Sequence, residues 1–542
     1  MKSQNNYIFL LFLTCIGIFF VHLDVLPVNI MEARNFITAR EMIVDGNWIF
    51  TSINGLPRYE KPPLPTWMTA ISMLSFGVKS LFALRLPAAL MGTLVVFMTY
   101  FFCLKLTSQK VFAFIAALVS ATSFYIIMSG RDGQWDIFTH AFMLVSIYFL
   151  FLVFTNQSNA YRNALLAGIF FGCSFLSKGP VSLYVLFLPF LLAYGFTFRF
   201  QKMQTLWRPL TVFTLVAIIS SIWWNVYVYL FDYHAVSEIT TKETGRWLNY
   251  NTRPIYYYWS FVVQSGLWTI PAFVALLYPY LKNKVLNKKA YTFTLLWTVI
   301  SVLLLSIIPE KKARYLMPVL IPMAMNTAFY VEYLFRSFKT MTFKKETFIV
   351  YFQFGLIALI GCAFPIAAYF YFGETIHHFL IWYLLTSIFL LAIGISIALF
   401  LRKKEIATVF YLTIAFIFSV LSFGLPLAKG VTHNPDYKSI VNAKPYLEKN
   451  NAKLYEFEAF TPELIWEYGE PIEVLFDGEN YKIPKENGFY ILTNSTEENK
   501  FKKVFADFHI QKIDSFDMNP VGLESRSHKD RLHRNMYWVE RL

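Results

Sequence analysis

Charge is scarce in this chain. Asp, Glu, Lys and Arg make up 15% of its 542 residues, against about 25% in soluble globular domains. That deficit excludes a soluble protein built around a single hydrophobic core. Cysteine is scarce too. Cys15, Cys103, Cys173 and Cys362 all lie in apolar runs, without a CxxC partner or a nearby His. Neither a zinc site nor a disulfide framework is therefore indicated, and the four read as small core hydrophobes. Internal repeats and low-complexity segments are lacking, and apolar runs recur too densely for disorder.

Apolar and aromatic side chains take up what charge leaves. Hydrophobic residues are 56% of the chain and aromatics 19%, including 57 Phe and 33 Tyr. A transmembrane helix needs about 20 mostly apolar residues. Thirteen stretches qualify: 7–23, 81–104, 111–129, 137–155, 163–177, 180–198, 209–231, 256–280, 290–308, 315–335, 347–371, 377–400 and 406–428. The fifth is short enough to be re-entrant. The first resembles a secretory signal but lacks a small-residue cleavage site, so it reads as a first span.

The net charge of +14 would suggest nucleic acid in a soluble protein. Here it follows the loops. Lys2, Lys105, Lys110, Arg162, Arg199, Lys202, Arg208, Lys282, Lys284, Lys288, Lys289, Arg336, Lys339, Lys344, Lys345, Arg402, Lys403 and Lys404 fall in alternate loops, opposed only by Glu346 and Glu405. By the positive-inside rule these loops and the N-terminus face the cytoplasm, and no nucleic-acid partner is called for. Segments 24–80, 130–136, around 178, 232–255 and 309–314 then face outward, with residues 429–542. The expected organisation is a membrane domain over 1–428, with 24–80 as its first outer loop, and an outer domain over 429–542. Within the loop, 33–43 and 64–74 look like helices lying on the membrane surface. The tail carries 16 basic and 19 acidic residues, and its short apolar pieces alternate with turns such as DGEN and KENG. It reads as a small α/β domain.

Charges on the outer side that the loop rule does not explain are candidates for function, because charge at membrane depth is costly. Asp24 and Glu32 follow span 1. Two carboxylates there suit a general base or a divalent-metal ligand, and the plainer readings are solvated loop residues or Glu32 as a helix cap. Lys61, in Arg58-Tyr59-Glu60-Lys61-Pro62-Pro63, has a stiff setting that could aim an ammonium at an anion, or it is a snorkelling lysine. Arg131-Asp132-Gly133-Gln134-Trp135-Asp136 puts two acids beside an Arg and a Trp, which suits a sugar. Asp136 could equally just cap span 4. Lys178 stands alone between two apolar runs. Glu310-Lys311-Lys312-Ala313-Arg314-Tyr315 places three cations on the outer side, against the charge rule. That pattern fits a phosphate or pyrophosphate, or lipid headgroups bound without specificity. Together the clusters suit a lipid-linked phosphosugar.

At these residues the sequence resembles the bacterial aminoarabinose-transferase-like glycosyltransferases, relatives of the protein O-mannosyltransferases in the integral-membrane GT-C class. The similarity lies in EARNFITAREMIVDGNWIFTSINGLPRYEKPPLPTW (32–67), RLPAAL (85–90), RDGQWD (131–136), LSKGP (176–180), RPIYYYW (253–259) and KKARYLMPVLIPM (311–323). It covers roughly residues 7–430, and the tail adds no motif. The resemblance implies a GT-C fold with about 13 transmembrane helices, and transfer of a sugar from a polyprenyl-phosphate donor, undecaprenyl phosphate in bacteria, by inverting direct displacement. The acceptor would be a lipid A-like molecule, a glycan or a protein at the periplasmic face of the inner membrane. It also implies that a carboxylate deprotonates or orients the acceptor while basic residues hold the leaving phosphate.

The family's first loop carries an Asp-Glu pair. Here Met31 and Glu32 stand there, so either Glu32 takes the role or Asp24 supplies the carboxylate from upstream. Asp136 matches a family acid, Lys61 the family's donor-phosphate lysine, and Arg314 and Tyr315 its late Arg-Tyr. A His common before the aromatic run is replaced by Asn251 and Thr252, so no metal is assigned. The expected catalytic set is Glu32, Asp24 and Asp136. The expected substrate-binding set is Arg34, Arg58, Tyr59, Lys61, Arg131, Asp132, Lys178, Lys311, Lys312, Arg314 and Tyr315. A transporter or flippase of lipid-linked sugars is the alternative, disfavoured because the charges gather at one face and no repeat is seen.

Overall fold

The computed structural model describes residues 2–155, 159–200, 203–431 and 434–542, so Lys202 lies outside the described residues. The chain forms two compact units. One is Met1–Leu23 with Tyr59–Leu427, and the other is Asp24–Arg58 with Ala428–Leu542.

Along the chain, α1 (Lys2–Cys15) runs into a π-helical turn (Ile16–Phe20). Next come α2 (Ile30–Asp45) and a hairpin of β1 (Ser52–Ile53) and β2 (Leu56–Pro57). The first unit resumes with α3 (Leu64–Phe76), α4 (Leu81–Thr107), α5 (Lys110–Ala121), α6 (Phe124–Gly130), α7 (Asp136–Thr155) and α8 (Ala160–Lys178). After a π turn (Leu183–Phe187) follow α9 (Leu188–Phe198), α10 (Met203–Phe231), α11 (Tyr233–Asn249), α12 (Thr269–Leu276) and the short α13 (Tyr278–Leu281). The bundle ends with α14 (Lys288–Ile307), α15 (Met317–Ser337), α16 (Lys344–Phe372), α17 (Leu380–Arg402) and α18 (Ile406–Ser419).

Each of the thirteen predicted stretches is helical. Among the described residues eight helices are long and apolar enough to cross a membrane, or nine if α5 and α6, bent by 67°, form one broken span. The other four are shorter or more polar: α15 carries Asn326, Thr327 and Glu332, and α8 carries Arg162, Asn163 and Lys178. Asn6–Phe20 and Leu183–Phe198 are shorter apolar helices. α15 is buried on every side from Met317 to Leu334, which marks a helix inside the bundle and not at its lipid-facing surface. α8 packs between α7 and α10. Helices approach closely where side chains vanish. A Cβ at Gly361 of α16 would lie 2.6 Å from the Leu390 carbonyl of α17, and one at Gly394 would lie 2.8 Å from that of Ala358.

The second unit is built on a mixed sheet of β3 (Leu454–Glu456), β4 (Glu473–Val474), β5 (Gly488–Thr493), β6 (Phe508–Asp517) and β7 (His533–Arg541), in spatial order β4-β3-β5-β7-β6. β3 is parallel to β4 and β5, and the other pairings are antiparallel. Residues 33–43 are helical as expected, but their apolar side is covered by the tail and does not lie on a membrane. Ile37 joins a core with Leu464, Ile465 and Phe516, and Phe36 meets Trp466 edge-on at 5.4 Å. The Arg40 guanidinium donates to the Ile465 and Trp466 carbonyls at 3.3 Å. It thereby satisfies the carbonyl end of the tail helix Pro462–Tyr468. Asn54 clamps the hairpin to the tail, donating to the Ile472 carbonyl and accepting from its N–H, both at 2.7 Å. α3, over the expected 64–74, instead leaves Ile71, Leu74 and Phe76 exposed, as a surface helix would.

A buried ion pair ties β3 to β7. Arg534 Nε donates to Glu456 at 3.0 Å, and its other donors reach Thr461 Oγ1 at 2.9 Å and the carbonyls of Arg531, His533 and Ala459. Removing one partner of such a pair costs about 3–5 kcal/mol, because the other charge stays buried. Glu456→Ala should therefore lower the unfolding temperature of the full-length protein clearly more than Glu456→Gln, which keeps an acceptor oxygen. Thermal melts in detergent measure the difference.

Candidate active site

Two helix ends meet in the first unit. Asp136 is the first residue of α7 and Lys178 the last of α8. Each charge sits at the helix end whose dipole favours it. The Lys178 ammonium contacts Asp136 Oδ1, and the two side chains are only 7% and 5% exposed, so each supplies the neutralisation that water would otherwise give. Gly179 makes the turn possible. Its φ of 73° and ψ of −152° lie in a region essentially reserved for glycine.

Three cations converge on one ring. Lys178 Nζ lies 5.1 Å from the centroid of Tyr315, Lys312 Nζ 5.7 Å and the Arg314 guanidinium carbon 5.7 Å. Glu310 accepts from Lys312 Nζ at 2.6 Å and from the Tyr315 hydroxyl at 3.2 Å. Arg314 donates to Gln134 Oε1 at 3.1 Å, and Gln134 in turn donates to Asp132 at 2.5 Å. The backbone under the cluster is held from two directions. Lys312 N–H donates to the Tyr258 hydroxyl at 3.0 Å, which donates to the Lys312 carbonyl at 3.2 Å. Thr252 and Glu310 form an antiparallel bridge, flanked by bonds from Lys311 N to Asn251 O and from Arg253 N to Pro309 O, both 3.1 Å. Like charges gathered around one aromatic face suit a multivalent oxyanion, which could accept from all of them.

The fold thus brings Asp132, Asp136, Lys178, Lys312, Arg314 and Tyr315 together. Two other residues of the expected substrate-binding set are engaged by the backbone. Lys311 donates to the Arg253 carbonyl at 3.0 Å and to that of Ile308, and burial lowers its pKa. Arg131 donates to the carbonyls of Ile18 at 2.7 Å, Val21 at 2.6 Å and His22 at 3.0 Å, where the first helix ends. Burial, with Arg85 nearby, brings its pKa down to about 10. Tyr59 donates to Asp232 at 2.6 Å, and Trp67 stacks on Trp223 at 6.1 Å. These contacts anchor the half-buried Lys61 segment to the end of α10.

Asp24, Glu32, Arg34 and Arg58 belong to the second unit. Asp24 is exposed and Arg34 half-buried. Glu32 is buried in a capping box: Asn29 Oδ1 accepts from the N–H of Met31 and of Glu32, and Glu32 Oε2 accepts from the Asn29 N–H at 3.2 Å. Arg58 donates to Thr38 Oγ1 and to the Arg34 carbonyl, both at 2.8 Å, which gives it a structural job on α2.

Sequence reasoning missed Gln134, Glu310, Tyr258 and Asp232. The first two stood inside motifs already singled out, between and beside the charged residues. Tyr258 was hidden in an aromatic run, and nothing local marked Asp232. Among the described residues no group of three His, Cys, Asp or Glu side chains is arranged to hold a metal.

Known proteins share parts of this pattern. The family model for dolichyl-phosphate-mannose-protein mannosyltransferases matches residues 60–224. An uncharacterised protein of Aquifex aeolicus is 27% identical over 54% of this chain and 57% of its own length. An undecaprenyl phosphate-alpha-4-amino-4-deoxy-L-arabinose arabinosyl transferase of Proteus mirabilis is 25% identical over 56% of this chain and 55% of its own. The chain thus spans little more than half the length of these curated relatives. The crystal structure of ArnT from Cupriavidus metallidurans, bound to undecaprenyl phosphate, superposes with a TM-score of 0.70 at 15% identity, over 98% of both chains. The chain is therefore a multi-pass membrane protein with the ArnT-like GT-C fold, and the resemblance read from its motifs holds.

If Arg131 is a cap and not a ligand, Arg131→Ala should act on stability. Each buried carbonyl left unpaired costs roughly 1–3 kcal/mol. The variant should melt clearly earlier than the wild type in detergent, as thermal melts of the full-length protein would measure.

Proposed function

We propose that this protein is an integral membrane glycosyltransferase. It moves a sugar from a polyprenyl-phosphate donor, undecaprenyl phosphate-linked, to a lipid A-like, glycan or protein acceptor. The observation that carries the reading is the convergence of Lys178, Lys312 and Arg314 on the Tyr315 ring, beside the buried carboxylate of Asp136.

In a direct displacement the acceptor oxygen attacks the anomeric carbon while the bond from that carbon to the donor's phosphate oxygen breaks. The acceptor's proton passes to a carboxylate, and the anomeric configuration inverts. The charge that develops on the leaving phosphate needs fixed cations in a site shielded from water. Lys178, Lys312 and Arg314 take that role, joined by Lys61 on the strength of the family motif. Lys311 and Arg131 are left out, because backbone carbonyls already engage them. Asp136 and Asp132 border the sugar. Glu32 or Asp24 is the proton acceptor.

The basic loops support an orientation with the N-terminus in the cytoplasm and residues 429–542 in the periplasm of a bacterial inner membrane. We take 1–428 as the catalytic membrane domain, with 24–58 built into the outer domain.

Arg314→Ala and Lys312→Ala should each lower kcat/KM for the lipid-linked donor by about 2–4 kcal/mol, the usual loss of one stabilising contact to a developing oxyanion. Transfer assays in membranes with matched protein levels measure this, and full activity in both variants would overturn the phosphate assignment. Glu32→Gln and Asp24→Asn, assayed side by side, identify the base as the one whose loss abolishes turnover while donor binding persists.

A further inference from the structure

One buried pair beside the site has no part in the chemistry above. His140 Nδ1 lies 2.5 Å from Ser182 Oγ, and both residues are buried. His140 stands one helical turn after Asp136, on the same face of α7. Ser182 stands four residues after Lys178. The turn between α8 and the following π turn is therefore fastened to α7 by two rungs, Lys178 to Asp136 and Ser182 to His140.

The helices behind the rungs are already fixed. Ser174 Oγ donates to the Thr139 carbonyl at 2.7 Å, and Thr139 Oγ1 donates to the Ser174 carbonyl at 3.0 Å. Ser182 Oγ also reaches the Thr139 carbonyl at 3.3 Å. If the serine hydroxyl donates there, the imidazole Nδ1–H donates to Ser182. The glycine turn leaves α8 directly after Lys178, so the two rungs bracket it.

The two rungs are not equivalent once a donor arrives. A phosphate that draws on Lys178 competes with Asp136 for the same ammonium. The first rung is then weakened by the ligand, and the second is untouched. We propose that His140 and Ser182 are positioning residues: their hydrogen bond holds the 178–182 turn while the Lys178 ammonium is shared between Asp136 and the donor phosphate, so the cation stays over Tyr315. This rests on the proposed role of Lys178 in binding that phosphate.

The test is undecaprenyl phosphate titrated onto the full-length protein in detergent micelles, with thermal melts run in parallel. His140→Ala and Ser182→Ala are expected to weaken binding roughly tenfold, on the scale of one lost hydrogen bond. His140→Gln, whose amide still reaches a hydroxyl, should recover most of that loss. In a Lys178→Met background neither alanine should weaken binding further. A merely structural role predicts the same loss with or without Lys178, and that result would overturn the proposal. So would unchanged affinity in folded His140→Ala and Ser182→Ala proteins. If Lys178→Met itself binds as the wild type does, the failure lies with Lys178 as a phosphate ligand, and the proposal falls with it. If Lys178→Met is weak but both alanines bind normally, the positioning role alone is wrong.

Discussion

A charge taken out of water must find its neutralising partner inside the protein, and the candidate site is arranged around that constraint. Asp136 and Lys178 meet it together, at the ends of two helices whose dipoles favour them. The pair in turn dictates local backbone. The chain must reverse at Gly179 with a glycine-only conformation to bring Lys178 back to α7, and the Ser182–His140 bond must close the far side of that reversal. Tyr315 then offers a polarisable face on which Lys178 can rest beside Lys312 and Arg314 without full hydration of any of them.

The same constraint separates cations that hold structure from cations that can hold a ligand. Arg131 and Lys311 both lie in loops rich in charge, yet their donors end on backbone carbonyls. Lys178 and Lys312 contact carboxylates, and one donor of Arg314 reaches the Gln134 side-chain amide. Side-chain partners can be exchanged for an incoming phosphate by rotamer changes alone. Backbone carbonyls cannot be given up without loosening the helix end that they terminate.

This distinction explains how far the amino-acid sequence could be read. Spans were legible because apolar length is a local property, and RDGQWD, KGP and EKKARY stood out because charge in such a chain is rare. Which of those charges faces a ligand is not local. Arg131 and Asp136 are five residues apart in one motif, but one turns toward Ile18 and the other toward Lys178. Asp232, which anchors Tyr59, sits at the end of a long apolar helix where nothing nearby announces a partner 173 residues away. The apolar stripe of 33–43 was correctly read as amphipathic. Periodicity alone cannot say whether such a stripe meets lipid or protein, and here Leu464, Ile465 and Phe516 cover it.

That last point bears on the carboxylates. Glu32 sits in the first turn of α2, and α2 is a core element of the tail domain, through Ile37, Phe36 against Trp466, and Arg40 on the Ile465 and Trp466 carbonyls. The hairpin that follows is joined to the same domain by the reciprocal bonds between Asn54 and Ile472. A loop of this length would ordinarily be among the more mobile parts of a membrane enzyme. By folding it into a sheet domain, the chain joins the backbone that carries Glu32 to a unit that also holds the buried Glu456–Arg534 pair. Under the proposed role of Glu32 as proton acceptor such a mount matters, because an error of about 1 Å in a reacting group's position can cost roughly a hundredfold in rate.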